Sequence, residues 1–257
     1  MNARAGHTLA GFLVALVLTG LVCSALVGTF SAAQAVARRH AWMVRAREAL
    51  RISGVVLGDE LRFLDPRADI RAVSEDSVSI RAYRGVGTVC AVESDGTALV
   101  RYRGLRVPEP EKDSVVVVDA IGRARPMPLL ESGPADGGCD ARAGTTLYAL
   151  SLPDPPTAGS LLLVFETGSY HLADRALRYR RGDGGRQPVT AELLDVRRSM
   201  FVPAFDAEAV DGEEEPQAVE GIVAVRAEAR RGDVDARRLT ARFRFPLLNA
   251  RIGGVRP

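Results

Sequence analysis

Side chains that could carry out catalysis or bind a metal are few and scattered in this chain of 257 residues. The three histidines, His7, His40 and His171, lie far apart, and neither a CxxC nor an HExxH pattern occurs, so we expect no zinc site. No GxSxG pattern supplies a nucleophile for His171, which is better interpreted as a strand residue. The sequence therefore predicts a protein that is not an enzyme and needs no cofactor.

The element that dominates the chain is an apolar segment near its start. Residues 9–30, LAGFLVALVLTGLVCSALVGTF, contain no charged side chain, and as a helix they span about 33 Å, the thickness of the hydrocarbon core of a bilayer. A secretory signal peptide has a shorter apolar run with a small-residue cleavage site after it. Here the run continues into a helical pattern, and the small residues precede it, in MNARAG. We therefore predict a retained transmembrane helix.

This layout resembles the N-terminus of prepilins, the precursors of type IV pilins and pseudopilins. The resemblance implies that residues 1–6 are a leader with Arg4 as its basic residue. It further implies that a prepilin peptidase cuts between Gly6 and His7, and that His7 is then N-methylated.

The first mature positions match the family in part. Thr8 and Leu9 agree with it, whereas His7 stands where phenylalanine is usual. Gly11 occupies the fifth mature position, where most members carry a glutamate that pairs with the N-terminal amine of a neighbouring subunit. Minor members lacking this glutamate exist, so the resemblance implies a minor subunit at or near the tip of a filament.

An unprocessed signal anchor is the alternative interpretation of the same helix. Arg4 alone precedes the span, and a cluster of arginines follows it, so the positive-inside rule places the C-terminal side in the cytoplasm. These arginines are Arg38, Arg39, Arg45 and Arg47. The leader motif implies the opposite orientation, which we adopt: a single pass through the bacterial inner membrane, with the head in the periplasm.

The helix is predicted to continue beyond the membrane to residue 65. Apolar residues recur at spacings of three, four and seven, which predicts one buried stripe; they are Met43, Ala46, Leu50, Leu57, Leu61 and Leu64. Asp65 and Pro66 then end the helix. The predicted organisation is a leader (1–6), a long helix (7–65, with the span at 9–30) and a β-rich head (66–257).

Small residues recur every four positions within the span, at Gly20, Ser24 and Gly28. A strip of this kind lets a second helix approach closely. The alternative is that transmembrane helices are rich in small residues without such a role.

The sequence of the head predicts short strands separated by glycine, proline and aspartate. Runs at 77–83, 97–102, 114–118 and 160–166 are rich in β-branched residues, and residues 239–245 alternate in polarity. Residues 182–185 predict a hairpin tip, and a weak helical pattern lies at 191–197. A long helix packed on an antiparallel sheet is an α+β fold of pilin-like type.

Two later segments strengthen the resemblance. The order of 170–174, 176–181 and 187–189 resembles the late hairpin of PilW-like minor pilins and J-type minor pseudopilins. Residues 242–251 resemble the last strand and tail of those proteins.

The charge balance does not favour nucleic acid as a partner. The chain has 34 basic residues, of which only Lys112 is a lysine, and a net charge of +2. The arginines Arg178, Arg180 and Arg181 are predicted to lie on a solvated strand face, with phosphate binding as the alternative.

In the orientation that the resemblance implies, Cys90 and Cys139 lie outside the cytoplasm, where disulfides persist. We predict that they form a disulfide, the alternative being two unpaired buried thiols. Cys23 lies in the apolar run and is assigned to packing.

Some pseudopilins bind calcium near the C-terminus, and the acidic segment 206–220 offers possible ligands. They are Asp206, Asp211, Glu213 and Glu214. Their spacing matches no defined calcium loop, which favours a solvated acidic loop.

The sequence thus predicts a structural subunit of a type IV pilus or a type II secretion pseudopilus. Its expected partners are a prepilin peptidase, the inner membrane and other pilin-like subunits, which it contacts through the N-terminal helix. The alternative is a signal-anchored periplasmic binding or interaction module that never polymerises.

Overall fold

The computed structural model describes residues 9–65, 67–140, 144–205, 216–226 and 238–246. The chain divides into two compact units, Met1–Glu48 and Ala49–Pro257. The fold is α+β, with a long N-terminal helix and antiparallel sheets, as the sequence predicts.

Helix α1 (Leu9–Leu61) begins in the first unit and ends in the second. In the second unit, Leu50, Leu57 and Leu61 of the predicted stripe are buried. The helix ends four residues before the predicted boundary, because a turn follows Leu61. The side chain of Asp65 holds the next turn by accepting the backbone N–H groups of Arg67 and Ala68, at 2.8 and 3.1 Å.

Ten strands form the larger sheet. They are β1 (Ile70–Val73), β2 (Ser77–Val92), β3 (Ala98–Gly104), β4 (Asp113–Val118), β5 (Ala124–Pro128), β6 (Glu131–Pro134), β7 (Thr146–Ser151), β8 (Leu161–Ala173), β9 (Ala176–Arg181) and β10 (Arg186–Pro188). A smaller sheet has the order β11-β12-β13, with β11 (Met200–Phe205), β12 (Pro216–Arg226) and β13 (Arg238–Pro246).

The two longest strands, β2 and β8, run side by side and form the spine of the larger sheet. They pair antiparallel from Ser77 opposite His171 to Thr88 opposite Leu161. Each spine strand changes its second partner midway: β8 pairs first with β4 and then with β9, whereas β2 pairs first with β1 and then with β3. The sheet therefore branches at its centre.

An apolar core fills one side of the branched sheet, on strands β2, β3, β4, β7 and β8. Its buried members include Val89, Val100, Val115, Leu150 and Leu162. These residues lie at alternate positions of their strands, as the pleat requires.

The smaller sheet contacts both helix α1 and the larger sheet. The backbone N–H of Phe201 in β11 donates to the carbonyl of Glu75, at 2.9 Å. The ring of Phe243 in β13 lies against Gly54 of the helix, where a Cβ atom would overlap it. Gly54 is thus the point at which the helix accommodates this sheet.

Residues 182–185 do form the hairpin tip between β9 and β10. The prediction of a weak helix at 191–197 is wrong, because residues 196–198 form a turn and no helix is present in this segment. The backbone N–H of Leu194 donates to the carbonyl of Arg175, at 2.7 Å, rather than to a carbonyl of a helical turn. The side chain of Leu194 is buried.

We predict that Gly54→Leu destabilises the head by about 1–3 kcal/mol, because the new side chain must displace the ring of Phe243. Urea unfolding followed by circular dichroism measures the change. The matched control is Val55→Leu on the next residue of the helix, whose side chain is 49 % exposed. Equal stability of the two variants would contradict the contact with Phe243.

Candidate functional site

The exposed surface of helix α1 in the first unit is the first candidate site. Every Leu, Val and Phe side chain there between Leu9 and Phe30 that the structure describes is 56 % to 80 % exposed. Within the described residues, this helix is long and apolar enough to cross a membrane. Water is a poor environment for so much contiguous apolar surface, so lipid or other apolar helices suit it better.

The hydroxyl groups on this surface are satisfied within the helix. Thr19 donates to the carbonyl of Ala15 at 2.8 Å, Ser24 to that of Leu21 at 2.9 Å, and Thr29 to that of Leu26 at 2.9 Å. Such back-bonding removes the need for water. The surface is therefore compatible with a medium that offers no hydrogen bonds.

The strip of small residues lies open on this helix. A Cβ atom added at Gly20 or Gly28 would meet no atom within 4 Å, and the Ser24 hydroxyl folds back onto its own helix. A partner helix could therefore approach along these three residues.

Several predicted sites lie outside the described residues. Gly6 and His7, the expected cleavage and methylation positions, precede residue 9. The weak calcium candidates Asp206, Asp211, Glu213 and Glu214 lie in the interval 206–215. Among the described residues, no cluster of three or more His, Cys, Asp or Glu side chains is arranged to hold a metal ion.

Cys90 and Cys139 are joined by a disulfide, with their Cα atoms 5.9 Å apart. Cys90 lies in β2, and Cys139 lies in the segment between β6 and β7. The bridge ties this segment to the spine of the sheet. Cys23 is a free, exposed thiol on helix α1.

A second candidate site, which the sequence did not predict, is a partly buried cluster of charges at the branch of the sheet. We call it the charge cluster; its members are Glu60, Arg84, Arg106, Asp113, Glu166, Tyr179 and Arg181. Three guanidinium groups face three carboxylates, so the charges balance.

Glu166 of β8 is the centre of the charge cluster, and its side chain is 4 % exposed. Its Oε1 accepts hydrogen bonds from Arg84 Nε at 2.8 Å and from the Tyr179 hydroxyl at 2.6 Å. Its Oε2 accepts one from Arg106 Nη2 at 2.8 Å and lies 2.5 Å from Arg181 Nε. Glu166 therefore contacts four residues from three separate parts of the chain.

Asp113 extends the charge cluster toward β4. Its fully buried carboxylate accepts hydrogen bonds from both terminal nitrogens of Arg106, at 2.5 and 2.6 Å. It also accepts one from the backbone N–H of Glu109, at 2.8 Å. A bidentate arginine pair of this kind fixes direction as well as distance. It anchors the connection between β3 and β4.

Arg84 reaches the charge cluster because it is the extra residue of a β-bulge. Tyr83 pairs with Phe165 and Gly85 pairs with Val164, which leaves Arg84 without a partner in β8. Bulges redirect side chains in this way. The guanidinium of Arg84 also binds Glu60 at 2.8 Å, which connects the end of helix α1 to the sheet.

The environment keeps Glu166 and Arg84 ionised. Burial opposes the charge on Glu166, but hydrogen bonds from Tyr179, Arg84 and Arg106 outweigh it and lower the pKa of Glu166. Burial likewise opposes the charge on Arg84, yet the nearby Glu60 raises the pKa of Arg84. Burial, reinforced by the hydrogen bond to Glu166, raises the pKa of Tyr179, which therefore stays neutral.

These contacts assign the charge cluster to structure rather than catalysis. Both oxygens of Glu166 and of Asp113 are occupied by donors, so neither carboxylate is free to act as a base. The prediction of a solvated face was wrong for Arg181, which contacts both carboxylates, and for Arg178, whose side chain is 14 % exposed. Arg178 and Arg180 pair with exposed carboxylates, Glu192 and Asp183.

His171 is part of strand β8, as its interpretation as a strand residue requires. Its Nε2 lies 2.8 Å from the Ser169 hydroxyl. Burial, together with the charge of Arg186, lowers the pKa of His171 and keeps the ring neutral near pH 7.

We predict that Glu166→Gln lowers the free energy of unfolding by about 3–5 kcal/mol, because three partly buried guanidinium groups lose the buried carboxylate that they share. Urea unfolding of the purified protein measures the loss. The control is Asp154→Asn, which breaks the exposed pair with Arg125 and should cost less than about 1 kcal/mol.

The pH dependence of the free energy of unfolding, compared between wild type and Glu166→Gln, tests the charge on Glu166. Because folding lowers its pKa below the ordinary value of 4.5, ionised Glu166 stabilises the fold above that pH. The contribution is lost as the pH falls through the lowered pKa. The stability gap between wild type and Glu166→Gln should therefore narrow below about pH 4.5; a gap that stayed constant down to pH 2 would contradict the assignment.

Comparisons with family models, with curated proteins and with solved structures found no match to this chain.

Proposed function

We propose that this chain is a structural minor subunit of a type IV pilus or a type II secretion pseudopilus. The observation that carries the proposal is the long apolar helix, whose exposed side chains need lipid or partner helices. The leader pattern ending at Gly6 and the α+β fold support the same assignment.

In the proposed cycle, the helix is first held in the inner membrane and the chain is cut between Gly6 and His7. The helix then leaves the bilayer and packs among other pilin-like helices. Apolar surface of this extent leaves lipid only if other helices replace the lipid contacts. The open strip at Gly20, Ser24 and Gly28 supplies a place for close contact.

The Cys90–Cys139 disulfide supports an extracytoplasmic head, because reducing conditions in the cytoplasm disfavour such bonds. This orientation agrees with the leader pattern and opposes the distribution of arginines around the span.

Gly11 favours a position at or near the tip of the filament. A glutamate at this position would be costly inside the bilayer unless it were paired. Glycine removes both the cost and the pairing, so this chain is poorly suited to stack on copies of itself.

We predict that the mature protein begins with N-methylated His7. We also predict that Gly6→Leu accumulates as a heavier precursor, because the peptidase must fit closely around the backbone at the cleaved bond. Intact-mass spectrometry of protein purified from membranes reads out both. The matched control is Asn2→Leu, which lies away from that bond and should mature normally. A Gly6→Leu protein that matured to the same mass as wild type would contradict the prepilin assignment, and a wild-type protein of full-length mass would favour the signal-anchored module.

We predict that cysteines on the strip crosslink to other pilin-like subunits in cells. Cys23 is first replaced by alanine, and single cysteines are then introduced at Gly20, Gly28 or Val22. Val22 is the control, since it lies about 200° around the helix from Gly20. Mass spectrometry should identify different pilin-like chains captured from the strip and few from Val22.

Two results would contradict this assembly. Long filaments formed by the purified chain alone would show that Gly11 does not prevent stacking of copies. A helix that matures normally but crosslinks to nothing would exclude the filament and leave a membrane-anchored module.

A further inference from the structure

Strand β13 forms one edge of the smaller sheet. It pairs with β12 over its whole length, from Arg238 opposite Arg226 to Pro246 opposite Ala218. Among the described residues, no strand pairs with its other side. The outer edge of β13 therefore presents a row of backbone groups that a further strand could bind.

The other long or exposed edges are interrupted by proline, which has no N–H to donate and so blocks the addition of a strand. In the larger sheet, the edge strands β5, β6 and β10 contain prolines, as does β11 at the opposite edge of the smaller sheet. The prolines are Pro126, Pro128, Pro134, Pro188 and Pro203. The remaining edge strand, β1, is four residues long.

In contrast, β13 contains eight successive residues without proline before Pro246. Eight residues of strand span about 26 Å, long enough for a continuous ladder of hydrogen bonds. Among the described strands, β13 is thus the edge that remains open.

The exposed side chains of β13 define the chemistry of what it would bind. Arg242 and Arg244 are both exposed, and they lie on the same face because they are two residues apart. Thr240 is the next exposed residue on that face. Carboxylates at alternate positions of an added strand would lie beside these guanidinium groups.

We propose that the outer edge of β13 binds an extended segment of another protein that carries acidic side chains at alternate positions. The backbone ladder supplies affinity, and the arginines select the sequence. A second copy of β13 is disfavoured, because antiparallel pairing about Arg242 would bring like charges together. This inference goes beyond the filament role and does not depend on it.

Two synthetic ten-residue peptides serve as probes on the full chain in detergent micelles: one alternates valine with glutamate, the other valine with lysine. Fluorescence anisotropy of labelled peptide measures binding, and hydrogen exchange locates it. The glutamate peptide should bind and slow exchange of the β13 amides at least tenfold, whereas the lysine peptide should not.

A charge-reversed protein, R242E/R244E, should reverse the preference and bind the lysine peptide at least tenfold more tightly than the glutamate peptide. The matched control is R71E/R103E, which reverses two exposed arginines on β1 and β3 and should keep the wild-type preference. Circular dichroism checks folding, and the milder R242Q/R244Q should bind both peptides weakly if the reversed protein is unstable.

Three outcomes would overturn the proposal. The first is an absence of binding by the glutamate peptide. The second is binding that leaves hydrogen exchange in β13 unchanged, or that R71E/R103E weakens as much as R242E/R244E does. The third is concentration-dependent protection of β13 without any peptide, which would identify a second copy as the occupant.

Discussion

The buried carboxylate of Glu166 is the interaction on which the rest of the head depends. It lies where β8 stops pairing with β4 and begins pairing with β9, so the backbone hydrogen bonds of β8 change from one strand to another at this point. Side chains from β2, from the β3–β4 connection and from β9 converge on its two oxygens. A branched sheet needs such a junction, because backbone pairing alone does not fix the angle between strands that part.

The charge cluster also explains why the spine contains a bulge. An unbulged β2 would place Arg84 opposite a residue of β8, whereas the extra residue frees its guanidinium to bind Glu166 and Glu60 together. The helix end is thereby fixed by an ion pair as well as by buried leucines such as Leu57 and Leu61. Because opposite charges balance within the cluster, burial carries a smaller penalty than for an isolated ion.

Much of the fold could be predicted from the sequence because it depends on local patterns. The uncharged run at 9–30 and the stripe through Leu57 and Leu61 predicted one long helix, and β-branched runs located β3 and β4 within one or two residues. The predicted runs 77–83 and 160–166 underestimate the lengths of β2 and β8, which continue through Gly85 and Gly168. Both lie inside strands, where the rings of Tyr102 and Tyr179 occupy the space a side chain would need.

The charge cluster could not be predicted, because its partners are remote in sequence: Arg84 and Glu166 are 82 residues apart. A single sequence shows which residues are charged but not which of them face each other. Arg181 appeared equivalent to Arg178 and Arg180, yet it lies at the end of β9, beside the branch, and so faces Glu166 and Asp113.

The alternating arginines of β9 and β13 show how position in a sheet determines what the same pattern does. Arg178-Tyr179-Arg180 and Arg242-Phe243-Arg244 have nearly the same composition. Strand β9 lies between β8 and β10, and its arginines are paired with carboxylates of the head. Strand β13 has β12 on one side and an open edge on the other among the described residues. Arg178 and Arg180 therefore pair within the head, whereas Arg242 and Arg244, which lie opposite Ile222 and Glu220 of β12, have a second side where an added strand could bring further carboxylates.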